Sequence, residues 1–456
     1  MISKMEKNNM TIVSETENRT MLTDLYQLTM MAAYHDNQKN DCATFDMFIR
    51  KLPKDWGFFI ANGIDDAVDY TTNLGFESDD LEYLESQGLF KPEFLDYLSD
   101  FRFNGEIYAV KEGTPVCPNT PLLRLTGNRS EVQLAETMIL NTVNFQTMIA
   151  TKANRVVNAA GDSAVLDFGL RRAQERDAAI KGSRATYIGG CIGTSNVLAG
   201  KIYGIPIRGT HAHSFVMSHE TERDAFRAYA KTFPNNPTLL VDTYDTLHGT
   251  RNAAEVMIEL SGQLGAVRLD SGDLAKLSIE ARKILDELGF PDAKIMASND
   301  LNEYKIAELN VKGARIDGYG VGTEMITSKP VAAISGVYKI VCDSDGPKIK
   351  LSKGKVSYPG VKQVFRQEEN KRFLYDVLAL EGENVSGTPL LEKVCENGER
   401  IVKRRDLNTI RTYCLEQIAM LPEECKKLKA TPYEMLKSKG LHMLVHKLSE
   451  KYGGGK

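Results

Sequence analysis

Ile205-Pro-Ile-Arg-Gly-Thr-His-Ala-His-Ser-Phe215 passes from apolar to polar within a few residues. Ile205 to Ile207 reads as a short buried strand. A glycine, a hydroxyl, two histidines and a second hydroxyl follow. A strand that stops abruptly in compact polar residues is how α/β proteins place chemistry at the carboxyl edge of a sheet. Two of the seven histidines, His211 and His213, sit here. Taken alone, they serve either as hydrogen-bonding filler in a loop or as reactive groups.

Outward from this stretch the same rhythm recurs. Ala164 to Asp167 leads into Phe168-Gly-Leu-Arg-Arg172, and Ala185 to Ile188 leads into Gly193-Thr-Ser-Asn196. Thr238 to Val241 leads into Asp242-Thr-Tyr-Asp245, and Ala266 to Leu269 into Asp270-Ser-Gly-Asp273. Lys294 to Ala297 leads into Ser298-Asn-Asp300, and Ala314 to Ile316 into Asp317-Gly-Tyr-Gly-Val-Gly322. Helical patterns lie between, as at Glu220 to Lys231 and Leu274 to Leu288. That makes about seven strand-then-helix units of about 25 residues, which predicts a parallel sheet curled into an irregular β/α barrel. An open doubly wound sheet is the alternative, and it would spread the motifs along a line instead of one rim.

The flanks have a different character. Residues 21–128 predict a mixed α+β unit, beginning with a helix capped by Thr23 or Asp24 with Leu25, Leu28, Met31 and Ala32 on its apolar face. Residues 129–328 form the barrel, opened by a long helix over Glu131 to Ala159. Val337 to Val341, Lys348 to Leu351 and Phe373 to Ala379 read as antiparallel strands, so residues 329–400 return to the first unit's sheet. Residues 401–456 read as a helical tail with helices at Thr409 to Leu421 and Thr431 to His446. Residues 1–20 and Gly453 to Lys456 lack core-forming content and read as flexible.

Composition excludes several classes. Hydrophobic residues make up 42% and charged residues 26%, ordinary for a globular protein, and the net charge of −4 gives no basic field for nucleic acid. No apolar run approaches the roughly 20 residues of a membrane helix, and Met1 to Thr20 lacks the apolar centre of a signal peptide. Seven cysteines without a CxxC pair fit reduced thiols in the cytoplasm. Cys395, Cys414 and Cys425 are close in sequence, but their spacing is wide for a zinc knuckle.

Each motif has a chemical and a plain reading. Gly318-Tyr-Gly-Val-Gly322 before Thr323 is either a turn or a loop whose N–H groups approach a phosphate. Asp270 and Asp273 can bind sugar hydroxyls or hold Mg²⁺, or Asp273 simply caps a helix. Arg171 and Arg172 can clamp an anion with planar donors, or lie solvated. Together the motifs describe a ligand with a phosphate, a sugar, a magnesium ion and a further anion.

Leu22-Thr-Asp-Leu-Tyr-Gln-Leu-Thr29, Phe168-Gly-Leu-Arg-Arg-Ala173, Gly193-Thr-Ser-Asn196, Gly209-Thr-His-Ala-His-Ser214, Arg268-Leu-Asp-Ser-Gly-Asp273 and Gly320-Val-Gly-Thr323 resemble, in family order, nicotinate phosphoribosyltransferase. The resemblance runs from about residue 21 to at least 380, without clear coverage of the 400–456 tail. It implies condensation of nicotinate with phosphoribosyl pyrophosphate (PRPP) to nicotinate mononucleotide and pyrophosphate, the entry of nicotinate into NAD salvage. It also implies coupling to ATP hydrolysis through a phosphohistidine, Mg²⁺ accompanying the phosphates, and a homodimer or higher oligomer with shared active sites.

Residue roles follow from that resemblance. His213 is the phosphorylated histidine, and His211 occupies a variable position. Tyr26 stacks on the pyridine ring across the dimer interface. Phe168, Arg171 and Arg172 flank the anionic ligand. Asp270, Ser271, Gly272 and Asp273 hold ribose or its magnesium, and His213, Arg171 and Asp270 are the catalytic set. Gly320, Gly322 and Thr323 cradle the 5′-phosphate, with Thr194, Thr210 and Ser214 alongside. Ser195 stands where nicotinamide-specific relatives carry an aspartate, which favours the carboxylate of nicotinate. The alternatives are a nicotinamide-using phosphoribosyltransferase and a non-catalytic sugar-phosphate binding protein. The related quinolinate enzyme has no phosphohistidine, and His213 argues against it.

Overall fold

Six short strands run parallel in the order Gly193–Thr194, Ala164–Asp167, Gly318–Val321, Lys294–Ala297, Ala266–Leu269 and Thr238–Leu240. A single parallel bridge between Thr194 and Ile207 adds a seventh position. The computed structural model describes residues 19–453 except 353 and 356. The chain is α/β, and this curled parallel half-barrel is its centre. Helices Arg176–Ile188, Glu222–Thr232, Thr246–Glu259, Leu274–Glu287 and Glu303–Val311 wrap it. Their inward faces, with Ala225, Phe226, Ala253, Ala281, Leu285 and Ile306, join Val165, Leu239, Val267, Ile295 and Tyr319 in one core.

Two strand positions differ from the sequence reading. Ala185 to Ile188 is the last turn of helix Arg176–Ile188, and the strand is the shorter Gly193–Thr194. A continuous apolar run is compatible with either state, and here helix burial won. Ala314 to Ile316 precedes its strand, which is Gly318–Val321. Gly320 therefore lies inside a buried strand, not in a turn.

A seven-stranded antiparallel sheet forms the second layer, with Cys42–Ile49 and Pro121–Asn128 near its middle. Gly336–Asp343 returns from the far end of the chain to pair with Cys42–Ile49, and Leu391–Glu396 pairs with Glu106–Val110. The long helix Glu136–Ala160 runs between this sheet and the barrel. Its Thr147 and Thr151 hydroxyls accept the amides of Asn62 and Ile60. Its Lys152 and Arg155 pair with buried Glu303 of the barrel.

Phe373 to Ala379 is a strand, but it belongs to a separate sheet. Lys362–Glu369, Arg372–Leu380 and Thr388–Pro389 associate with Met435–Lys437, a strand within the stretch read as helical. Buried contacts join this sheet to the larger one, Lys362 pairing with Asp46 at 2.9 Å, while within the small sheet Arg366 pairs with its ladder partner Asp376 at 2.8 Å. Lys348 to Leu351 forms no strand beyond Gly346–Pro347. In the tail, helix Leu407–Met420 docks on the barrel, its Arg411 donating to the Gly190 and Cys191 carbonyls.

At the start, Asp24 is the first residue before helix Leu25–Asp36, but its carboxylate accepts the Thr137 hydroxyl instead of capping. Gln27, Leu28 and Met31 are buried, whereas Leu25 faces solvent. Thr20, expected in a flexible end, is buried and accepts the Gly75 amide at 3.0 Å; residues 1–18 and 454–456 lie outside the described residues. Among the described residues no helix is long and apolar enough to cross a membrane.

Candidate active site

The strand ends Asp167, Thr194, Ile207, Leu240, Leu269, Ala297 and Val321 all point to one rim, because the strands are parallel. Phe168, the first residue past its strand, is half-buried, and its ring occupies the space a side chain at Gly320 would fill. A Cβ there would lie 2.4 Å from the ring. Arg268 closes over that ring, its guanidinium carbon 5.7 Å from the centroid.

Two adjoining cavities share Phe168, Gly209, Thr210 and Arg268. The smaller, about 220 Å³, also meets Arg171, Ser195 and Ala212. An aromatic face, two guanidiniums and a hydroxyl thus line one space. The larger, about 740 Å³, continues down the barrel axis past Leu166, Ala266 and Met296. It is open because small residues such as Ala164 and Ala266 occupy inward positions that a packed barrel fills with large ones.

Beside these cavities stands a charged cluster. His213 Nε2 lies 3.7 Å from Asp270 Oδ2, and its Nδ1 is 3.2 Å from the Thr243 hydroxyl. Asp270 Oδ1 accepts from the Ser298 hydroxyl and faces Arg268 at 3.4 Å. Arg268 Nε in turn donates to Ser298 at 3.0 Å. Behind them, Asp242 Oδ2 accepts the Asp270 amide at 2.9 Å and the Ser271 hydroxyl at 2.6 Å.

Asp167 braces the opposite side. Fully buried, it accepts from the Gly169 amide, the Ser183 hydroxyl and the Thr194 hydroxyl, each at 2.8 Å. Burial raises its pKa, and these three donors oppose the rise. Its backbone carbonyl accepts the Ser195 amide, which sets Ser195 at the cavity edge.

The expected residues divide accordingly. Phe168, Arg171, Ser195, Thr210, Asp270 and His213 converge at the rim. Thr194 is buried, and its hydroxyl is spent on Asp167, so it positions its neighbour Ser195 instead of facing a ligand. Asp273 caps helix Leu274–Glu287 through the Lys276 amide, the plain reading. Gly272 has φ +77, the left-handed turn that lets Ser271 fold back on Asp242. Gly322 and Thr323 begin the short helix Thr323–Ile326 at the rim. Arg172 and Ser214 are exposed and line neither cavity. Tyr26, 47% exposed, also lines neither; its hydroxyl donates to Glu136.

Three family profiles follow the chain in order. The nicotinate phosphoribosyltransferase N-terminal domain matches residues 21–144, the nicotinate phosphoribosyltransferase family matches 163–345, and its C-terminal domain matches 361–445. The chain belongs to the nicotinate phosphoribosyltransferase family. "Nicotinate phosphoribosyltransferase pncB2" of Mycobacterium tuberculosis (strain ATCC 25618 / H37Rv) is 43% identical over 416 residues, covering 91% of this chain and 90% of that one. The nicotinate phosphoribosyltransferase of Bacillus subtilis (strain 168) is 40% identical, covering 89% and 90%. The crystal structure of the human nicotinic acid phosphoribosyltransferase superimposes with a TM-score of 0.82 at 28% identity, covering 93% of this chain and 99% of that chain.

Sequence reasoning passed over Arg268 and Thr243 and left Asp242 without a role. Arg268 had a signal: in Ala266-Val-Arg-Leu269 it shares a strand face with Ala266, and a charge facing a barrel interior implies a polar lumen. Thr243 had none, since its partner is thirty residues away. The three late cysteines are buried apart, Cys395 against Gly105, Cys414 against Gly113 and Cys425 against Gly57. Among the described residues no group of three or more His, Cys, Asp or Glu is arranged to hold a metal ion.

Proposed function

We propose that the protein joins nicotinate to the anomeric carbon of PRPP, releasing pyrophosphate, with ATP cleavage coupled through His213. One observation carries the reading. The cavity of about 220 Å³ combines the Phe168 face, Arg171, Arg268 and the Ser195 hydroxyl, the complement of a flat ring bearing a carboxylate. A neutral amide would offer no charge to Arg171, whereas Arg268 already faces Asp270.

The substitution passes through oxocarbenium character at the ribose. The protein's contribution is to hold the ring nitrogen in line with the departing pyrophosphate and to shield that charge with cationic groups. Asp270 faces the sugar. Gly322 and Thr323, at a helix start, suit the 5′-phosphate. Asp273 caps its helix through Oδ1 and Asp270 accepts the Ser298 hydroxyl through Oδ1, which leaves the Oδ2 atoms to meet Mg²⁺ carried by the substrates. The ion enters with the substrate phosphates, as Mg²⁺ commonly does.

His213 has one ring nitrogen near a hydroxyl and the other toward a carboxylate, an arrangement that orients an imidazole for attack on phosphorus. Tyr26, exposed and away from its own chain's cavities, supports a homodimer in which each copy supplies this ring to the other. Seven free cysteines suit the reducing cytoplasm.

The test mixes protein, PRPP and Mg²⁺ with nicotinate or nicotinamide and follows mononucleotide formation. Product from nicotinate alone is expected. Product from nicotinamide alone overturns the specificity, and product from neither supports a binding protein. His213→Ala is expected to remove ATP stimulation; unchanged stimulation sinks the phosphohistidine role.

A further inference from the structure

We propose that His211 is a positioning residue, which closes the barrel's side-chain seam by accepting the Leu240 amide and so fixes His213 against Thr243 and Asp270. The proposal rests on the assignment of His213 to the active site.

The seam lies where backbone pairing stops. The sheet ends at the Ile207 bridge on one side and at Thr238–Leu240 on the other. Among the described residues no strand ladder joins these two edges. Two side chains of the intervening motif do so instead. Thr210 Oγ1 donates to the Thr238 carbonyl at 2.5 Å, and the Leu240 N–H donates to His211 Nε2 at 3.1 Å. Each side chain takes the partner that a neighbouring strand would otherwise supply, at alternate residues of the edge, as in a ladder.

His211 is built for this task. It is buried, with ring centroids of Phe215, Phe226 and Tyr229 at 5.5, 6.1 and 4.8 Å. To accept through Nε2, the ring must be neutral with its proton on Nδ1. Nδ1 is buried, and among the described residues no side chain reaches it. Three aromatic rings pack around His211, while one side of the residue borders the smaller cavity.

The consequence reaches the site through short chain lengths. Two residues beyond His211 is His213, and three beyond Leu240 is Thr243. The Leu240–His211 bond therefore sits directly behind the His213–Thr243 contact of 3.2 Å and the His213–Asp270 approach of 3.7 Å. Asp242, between Leu240 and Thr243, carries the Asp270 loop. Lose the seam bond and both halves of the cluster are free to shift, and a displacement of about 1 Å at such a site costs about a hundredfold in rate.

His211→Leu keeps an apolar body of similar bulk and removes the acceptor. His211→Gln restores an acceptor that can reach the Leu240 amide. Measured on the intact protein, His211→Leu is expected to lower kcat at least tenfold with KM for PRPP changed less than twofold; His211 borders the nicotinate cavity, so KM for nicotinate is not the discriminating readout. His211→Gln is expected to recover most of kcat. Labelling by radiolabelled ATP is expected to slow in His211→Leu and recover in His211→Gln. Wild-type kcat in His211→Leu, or equal loss in both variants, overturns the proposal. If His211→Leu does not fold, His211→Gln decides: near wild-type kcat supports the acceptor role, and a tenfold loss in a folded His211→Gln overturns it. If the wild-type protein takes no label but kcat still follows the acceptor, the phosphohistidine role falls and the seam stands.

Discussion

Asp242 accepts the backbone N–H of Asp270 at 2.9 Å, so each of these two rim loops is held by the other. The same oxygen takes the Ser271 hydroxyl, which fixes the tight turn at Gly272.

Asp242→Ala is expected to leave an amide and a hydroxyl without their acceptor, a loss of about 1–3 kcal/mol of local order. The consequence is a fall in kcat/KM for PRPP of about ten- to a hundredfold, with Asp242→Asn, which keeps an acceptor oxygen, in between. Steady-state kinetics at varied PRPP checks this.

The role proposed for Ser195 is to set the preference for the base. Ser195→Asp would place a carboxylate beside the carboxylate of nicotinate in a half-enclosed cavity. Repulsion of a few kcal/mol corresponds to a loss of kcat/KM for nicotinate of roughly ten- to thousandfold. Competition between nicotinate and nicotinamide reads the change directly.

His211 gives the fold an acid limit. Unfolded, it titrates near 6.5; folded, burial chiefly, with Arg268 and His213 opposing a further charge, pushes it to about 4. Between these values the unfolded chain binds the extra proton, so stability falls as pH drops through this window. His211→Gln is expected to flatten the fall. Thermal melts from pH 7 to 4 of both proteins make the comparison.

Lys152 and Glu303 are both about 2% exposed and join the long helix to the barrel. Lys152→Ala leaves Glu303 with Arg155 alone as charge partner among the described residues, so about 3–5 kcal/mol of destabilisation is expected. Urea unfolding measures it, and a double replacement, Lys152→Met with Glu303→Leu, is expected to recover much of the loss.

The parallel rhythm was legible because strand ends carry their signal locally: Asp167, Asp242 and Asp270 each stop an apolar run with a carboxylate. Motif resemblance, and no local pattern, singles out His213 over His211 and picks Ser195; the structure brings both to the rim. What escaped was contact between distant segments. Ala185 to Ile188 is as apolar as a strand and became helix because that face packs on Glu136–Ala160 and Thr323–Ile326. Met435–Lys437 pairs with Arg372–Leu380 across more than fifty residues, and no helical pattern foretells that. Thr194 looked like a ligand group because its hydroxyl's partner, Asp167, is invisible until the strands are side by side.

The small residues at Ala164 and Ala266 leave the barrel's axis empty, and this separates two quantities that core mutations usually change together. In a filled core, a larger side chain strains the fold. Here it would first displace solvent. Enlarging substitutions along this axis are therefore expected to change which ligands fit more than they change the melting temperature.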